Sequence, residues 1–260
     1  MNDKTTKFPK PADPTIEEVL RAFLDVSSQR LKPATLRKYE SVIELFTISM
    51  NNYGPGTLSD AQTATFEAFY NAKGAAHREY CQIFGPEMIL GNVDEFLSYF
   101  MPRKVMCGKE LMRAAGTVTR KLAHWLCEQG LVDAEGAEAG MQSGAAAAKA
   151  LPAGERLADA LCDYCHLHPV DDWADQIEDH FTVEKVESGR LHLAPVLGGG
   201  PAKDETIVLD LPRAITGLCQ VGWKISLLLG KTKRGWRILE SGNVYPSDAR
   251  CLRHTGCPTR

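Results

Sequence analysis

Phe181-Thr182-Val183-Glu184-Lys185-Val186, then Ser188-Gly189, then Arg190-Leu191-His192-Leu193-Ala194-Pro195-Val196 is the stretch that decides the fold class. Phe181 and Val183, and again Leu191 and Leu193, fall two positions apart, the spacing of a strand with one buried face. Ser188-Gly189 supplies a hairpin turn between the two runs. Downstream, Gly198-Gly199-Gly200-Pro201 breaks the second strand and Thr206–Leu211 reads as a third. Pro212–Gln220 reads as a short helical crossover. Trp223–Leu227 and Trp236–Leu239 form a further hairpin through Gly230–Gly235, and Asn243–Tyr245 adds a last short piece. Short strands with Gly-rich turns predict that residues 181–246 form a small five-stranded β-barrel-like domain of the OB or SH3 kind. Residues 247–260 follow as a tail.

Upstream the period lengthens to that of a helix. Thr15 and Glu18 have capping-box spacing, followed by Ile16, Val19, Leu20, Phe23 and Leu24. Pro33 opens a second helix with Leu36, Tyr39, Ile43, Phe46 and Met50 on one side, and Gly54-Pro55-Gly56 ends it. Ser59 and Gln62 cap a third helix carrying Phe66, Phe69 and Tyr70. Asn92 and Glu95 begin a fourth with Val93, Phe96, Leu97 and Phe100 inward. The fifth runs from about Gly108 to Gln129, with Leu111, Ala115, Val118, Leu122, Trp125 and Leu126 on one face and Gly130 as its stop. Residues 15–132 are therefore expected to be an all-α domain of orthogonal helices behind a disordered N-terminus, 1–14. The fold class expected is α+β, helical domain first.

Between the halves the composition changes. Thirteen of the 22 residues in Asp133–Gly154 are Ala or Gly, which predicts a linker with a coil reach of roughly 25 Å. The run Ala145–Leu151 is also compatible with a turn or two of helix. Residues 155–180 read as an acidic helical segment, with a helix over Glu155–His166 and a second short one over Asp171–Asp179. Charge follows the same division. Residues 1–130 carry 16 Lys+Arg against 15 Asp+Glu, residues 131–180 carry 2 against 11, and residues 181–260 carry 12 against 7. The ends suit a polyanion better than the middle does. No apolar run reaches the roughly 18 residues of a membrane helix. The N-terminus has no apolar h-region, so a cytoplasmic protein without a membrane partner is expected.

Leu31-Lys32-Pro33-Ala34-Thr35-Leu36-Arg37-Lys38-Tyr39 is similar to the opening helices of the core-binding, SAM-like domain of tyrosine recombinases and phage integrases. Val93–Phe100 is similar too, and Thr119–Val132 looks like that domain's last helix and exit. The resemblance covers roughly residues 15–132, with an insertion near 57–86. It implies a domain that clamps one side of duplex DNA, with the second and last helices toward groove and backbone. It does not extend to chemistry. The family cleaves DNA with an Arg, a Lys, a His-x-x-Arg pair and a nucleophilic Tyr, and no His of this chain is followed by Arg three positions on. A non-catalytic DNA-binding protein is the function expected, the alternative being a protein-interaction or scaffold module that keeps the fold without nucleic acid.

The residues offer a matching surface. Lys109, Arg113, Thr117 and Arg120 form one stripe opposite the apolar face of the last helix, flanked by Lys121 and preceded by Arg103 and Lys104. Such a stripe neutralises phosphates while Thr117 and Thr119 donate hydrogen bonds to them. The second helix offers Lys32, Arg37 and Lys38, diluted by Glu40 and Glu44. The basic turn Lys231–Trp236, with Lys233 and Arg234 at its tip and Trp223, Trp236 and Tyr245 nearby, has the make-up of a single-strand tracking hairpin. The same aromatic residues also suit a barrel core.

Eight cysteines without an export signal are expected to be reduced. Cys81, Cys107, Cys127 and Cys219 read as small core hydrophobes. Cys162-x-x-Cys165-His166 has the pattern of covalent haem attachment, a chemistry of other compartments. The weak metal candidates are Cys162, Cys165 and His168 with Cys251, His254 and Cys257, which supply zinc-type ligands. The reading is nonetheless of no metal and no cofactor. Gly198–Pro201 lacks the Lys-Ser/Thr of a phosphate loop. The acidic run Asp171, Asp172, Asp175, Glu178, Asp179 reads as a solvated helix face.

Overall fold

The structure is a computed structural model that describes residues 8–197 and 206–246. It is an α+β protein, helical first and then a five-stranded antiparallel sheet. Two compact units are formed, Met1–Leu97 with Ala114–Ala146, and Ser98–Arg113 with Ala147–Arg260. Among the described residues no helix is long and apolar enough to cross a membrane.

In the helical unit α1 spans Ile16–Ser28 and α2 spans Pro33–Tyr53. The Thr15–Glu18 capping box forms as the spacing predicts. Glu18 Oε2 accepts from the Thr15 backbone N–H and hydroxyl, both at 2.9 Å, which holds the Glu18 carboxyl below its ordinary value of 4.5. α3 covers Asp60–Tyr70, and short 3-10 turns fill the chain up to Asn92. The fourth predicted helix is divided into α4 (Val93–Glu95), a π turn (Phe96–Phe100) and α5 (Met101–Lys104). Asn92 caps nothing there. It is buried, and its side-chain amide donates to the Met88 carbonyl at 2.8 Å. Phe23, Phe46, Tyr80, Phe96, Leu122 and Leu126 are core residues, with Phe46 and Phe96 rings 4.7 Å apart.

α6 runs from Lys109 to Glu128, and Gly130 ends it at φ +67°, a conformation cheap only for glycine. α7 then runs unbroken from Ala134 to Leu167, with Pro152 inside it. The coil linker expected over 133–154 is therefore replaced by helix. The physical reason lies in the residue type that suggested a linker. A Cβ built on Gly144 would stand 2.7 Å from the Arg120 amide nitrogen and the Gly116 carbonyl oxygen, and one on Gly140 3.1 Å from the Ala123 Cβ. Small residues let α6 and α7 pack backbone to backbone, so burial proceeds without large side chains.

In the sheet unit β1 (Asp175–Glu187), β2 (Arg190–Pro195), β3 (Ile207–Asp210), β4 (Lys224–Thr232) and β5 (Gly235–Tyr245) follow, with the short α8 (Arg213–Thr216) between β3 and β4. Their order is β3-β2-β1-β4-β5. The expected barrel is not closed: β3 and β5 are the outer strands and are not paired with each other. The short helix expected over Asp171–Asp179 is absent, because Asp175–Asp179 pair with β4 from Lys231 to Leu227. Ile177, Asp179, Phe181 and Val183 alternate inward along β1. Leu157 and Leu161 of α7 pack with Phe181, Leu191, Ile207, Ile225 and Leu229 in one core.

Candidate nucleic-acid interface

Of the predicted basic residues, the α2 set sits at the start of its helix. Lys32 is the N-cap position, and Arg37 and Lys38 lie in the first two turns, all three exposed. On α6, Arg113, Arg120 and Lys121 are exposed and Thr117 is half-buried. Phe23 of α1 ties the two elements together, for its ring lies 5.9 Å from Tyr39 of α2 and 5.6 Å from Trp125 of α6. Lys38 precedes Tyr39 in sequence, and Lys121 lies one turn before Trp125. Lys32, Arg37, Arg120 and Lys121 form no ion pair or hydrogen bond through their side chains among the described residues.

Other members of the predicted set are differently placed. Thr119 is buried, with its hydroxyl oxygen unpartnered, so it cannot reach a phosphate. Lys109 is 3.0 Å from Asp159. Arg103 donates to the Tyr245 hydroxyl at 3.1 Å and lies 5.9 Å above the Tyr99 ring, while Lys104 beside it is exposed. Lys233 and Arg234 occupy the exposed two-residue turn joining β4 to β5, where Thr232 Oγ1 donates to the Gly235 carbonyl at 2.8 Å. Trp223, Trp236 and Tyr245 are buried in the sheet unit, so none offers a free face for a base. Lys231 covers the Trp236 ring at 5.4 Å.

No three metal-ligating side chains converge among the described residues. Cys162 Sγ lies 3.6 Å from His166 Nδ1, and that ring nitrogen also lies 2.9 Å from the Cys162 carbonyl. Burial pushes the Cys165 thiol up. Cys251, His254 and Cys257 lie outside the described residues, as does Gly198–Pro201. Cys81 and Cys219 are buried core thiols pushed up to about 12, and Cys107 and Cys127 are half-buried.

Sequence reasoning missed one buried polar cluster in the sheet unit. Asp179 is 4% exposed, and its Oδ1 accepts from the backbone N–H of His180 at 2.6 Å and of Leu197 at 3.2 Å. Neighbouring His180 is held below its ordinary 6.5, first by burial and then by Arg103, with its ring 5.5 Å from that of Tyr245. The signal available was Ile177-x-Asp179-x-Phe181, a period of two interrupted by a carboxylate. No protein-family profile, curated protein or solved structure matches the chain.

Proposed function

We propose that this is a non-catalytic protein that binds duplex DNA through its helical unit. The observation that carries the reading is the set of exposed cations Lys32, Arg37, Arg120 and Lys121, unpaired among the described residues, on two helices that share the Phe23 contact. Solvated cations with no internal carboxylate are the groups that gain most from displacing counterions on a phosphate backbone. These four cations put about four phosphate contacts within reach, which sets a slope of log affinity against log salt of about -3 to -4. The resemblance of residues 15–132 to integrase core-binding domains agrees in choosing the second and last helices. Fluorescence anisotropy of a labelled generic duplex at several salt concentrations tests the proposal, and the slope should be of that size. Absence of binding at about 50 mM salt and micromolar protein contradicts it.

The second reading is a protein-interaction module. It is favoured by one observation, two exposed aromatic rings packed on side chains of α3: Phe8, seated edge-on over buried Phe69 at 4.9 Å, and Tyr70, stacked on half-buried Phe66 at 5.0 Å and 46% exposed. A soluble domain seldom leaves such a group open without a use. Failure of duplex binding with retention of fold would promote this reading.

A further inference from the structure

We propose that the cleft between the end of α7 and the β4–β5 hairpin is a nucleotide site, holding a base on one wall and a phosphate on the other. The cleft is open, with a volume of about 470 Å³, within the roughly 300–1,000 Å³ of small-molecule sites. Its first wall is a fixed planar surface. Tyr164 and His168 stack with ring centroids 4.4 Å apart and planes 22° from parallel. The His168 backbone N–H donates to the Tyr164 carbonyl at 3.0 Å, and Nδ1 lies 3.1 Å from the same oxygen. One face of the imidazole is thus occupied while the residue remains exposed.

The second wall carries Arg234 and Arg237. Arg237 is anchored by a 3.1 Å bond from Nη1 to the Trp236 carbonyl. Arg234 is set by its backbone N–H, which donates to Thr232 Oγ1 at 3.1 Å, and its guanidinium has no partner among the described residues. Asp171 and Asp172 line the same cleft, and neither is ion-paired among the described residues.

Opposite charges that share a cleft without pairing leave both available to a ligand bearing an anion and hydrogen-bond donors. A nucleotide carries both. Its phosphate suits guanidinium donors, its base suits the imidazole face, and its amino or ribose hydroxyl hydrogens suit carboxylate acceptors. A simple anion would meet the carboxylates with nothing to offer them. Duplex DNA would keep its base faces stacked. The ligand is therefore a free nucleotide or a nucleotide of a single strand, and this site is separate from the duplex surface on the helical unit.

The test is isothermal titration of the full chain with 5′-AMP, adenosine, inorganic phosphate and an oligo(dA) single strand. AMP should bind more tightly than adenosine or phosphate. Arg234→Ala should weaken AMP about tenfold while leaving adenosine unchanged, since it removes only a charged hydrogen bond. His168→Ala should weaken both about fivefold or more, through lost stacking. Both residues are exposed, so unchanged thermal unfolding controls for the fold. A strand that binds at least a hundredfold tighter than AMP and shares both sensitivities identifies the ligand as single-stranded. Equal affinities identify a free nucleotide. AMP binding no better than phosphate, or indifferent to both substitutions, overturns the proposal.

Discussion

More of the cations of the sheet unit than of the helical unit meet a partner among the described residues, although Arg21 of the helical unit pairs with Glu17 at 3.1 Å. In the helical unit Lys32, Arg37, Arg120 and Lys121 stand in solvent without ion pairs among the described residues. In the sheet unit Lys109 meets Asp159, Arg190 meets Asp210 at 3.1 Å, Lys185 meets Glu187, Arg103 meets Tyr245 and Lys231 covers Trp236. Exposed ion pairs add little stability, typically under about 1 kcal/mol, so the contrast matters less for folding than for partners. A cation already facing a carboxylate gains less from a phosphate than one facing water. On the proposed reading polyanion binding is carried by the helical surface, although the sheet unit also has exposed cations without an ion pair among the described residues, Lys104, Arg156, Arg213, Lys233 and Arg234.

Both units have a core of large side chains, and the helical unit adds a contact of α6 with α7 closed through glycine, so substitutions can separate the two kinds of packing. Phe181 is fully buried where β1 crosses the sheet core. Phe181→Ala should cost about 4 kcal/mol, read by hydrogen exchange as a larger loss of protection in β1 and β4 than in α1 and α2. If α1 and α2 lose as much, the two cores are one cooperative system. Gly144→Ala tests the close contact of α6 with α7. Alanine improves helix propensity by ~1 kcal/mol, yet its Cβ would stand 2.7 Å from backbone atoms of α6. A net loss of about 2 kcal/mol in denaturant unfolding is expected, and a net gain would mean the helices do not meet there.

Those two contacts show how far the sequence could be read. Thr15 with Glu18, Pro33 and Gly130 announced α1, α2 and the end of α6, because caps and stops are local chemistry. Asp133–Gly154 misled, since an absence of large apolar side chains looks the same in a coil and in a helix packed through glycine. Asp175–Asp179 misled because aspartate disfavours strands, and only pairing with β4 overrides it. At the candidate interface residue type was legible but surroundings were not. Arg103, Lys109 and Arg120 are indistinguishable in sequence, and the tertiary fold alone gives the first two partners.

Asp179 sharpens the contrast at smaller scale, for here the sheet unit buries a carboxylate on backbone donors. Asp179→Ala should cost about 1–2 kcal/mol by leaving those N–H groups unpaired, measured as a shift in chemical unfolding. His180 gives the smallest effect. Burial, and Arg103 and Lys224 nearby, favour its neutral form, against opposing pulls from Asp179 and Glu178. The unfolded chain therefore holds this proton more tightly than the folded one, so stability falls as pH drops below 6.5. His180→Gln should flatten that slope, and an unchanged slope would place the acid sensitivity elsewhere.

On the proposed function, duplex DNA is held by the helical surface. The most direct measurement of this is anisotropy of a labelled duplex, compared across the wild type, Arg120→Glu/Lys121→Glu and Lys233→Glu/Arg234→Glu. Four exposed side chains are reversed in charge and no buried one is touched. The helical pair should lose duplex binding at least about a hundredfold, since each reversal removes a phosphate contact and adds a repulsion. The turn pair should lose less than about threefold. Binding that survives the helical reversal and disappears with the turn reversal would contradict the account and move the duplex surface to the sheet unit.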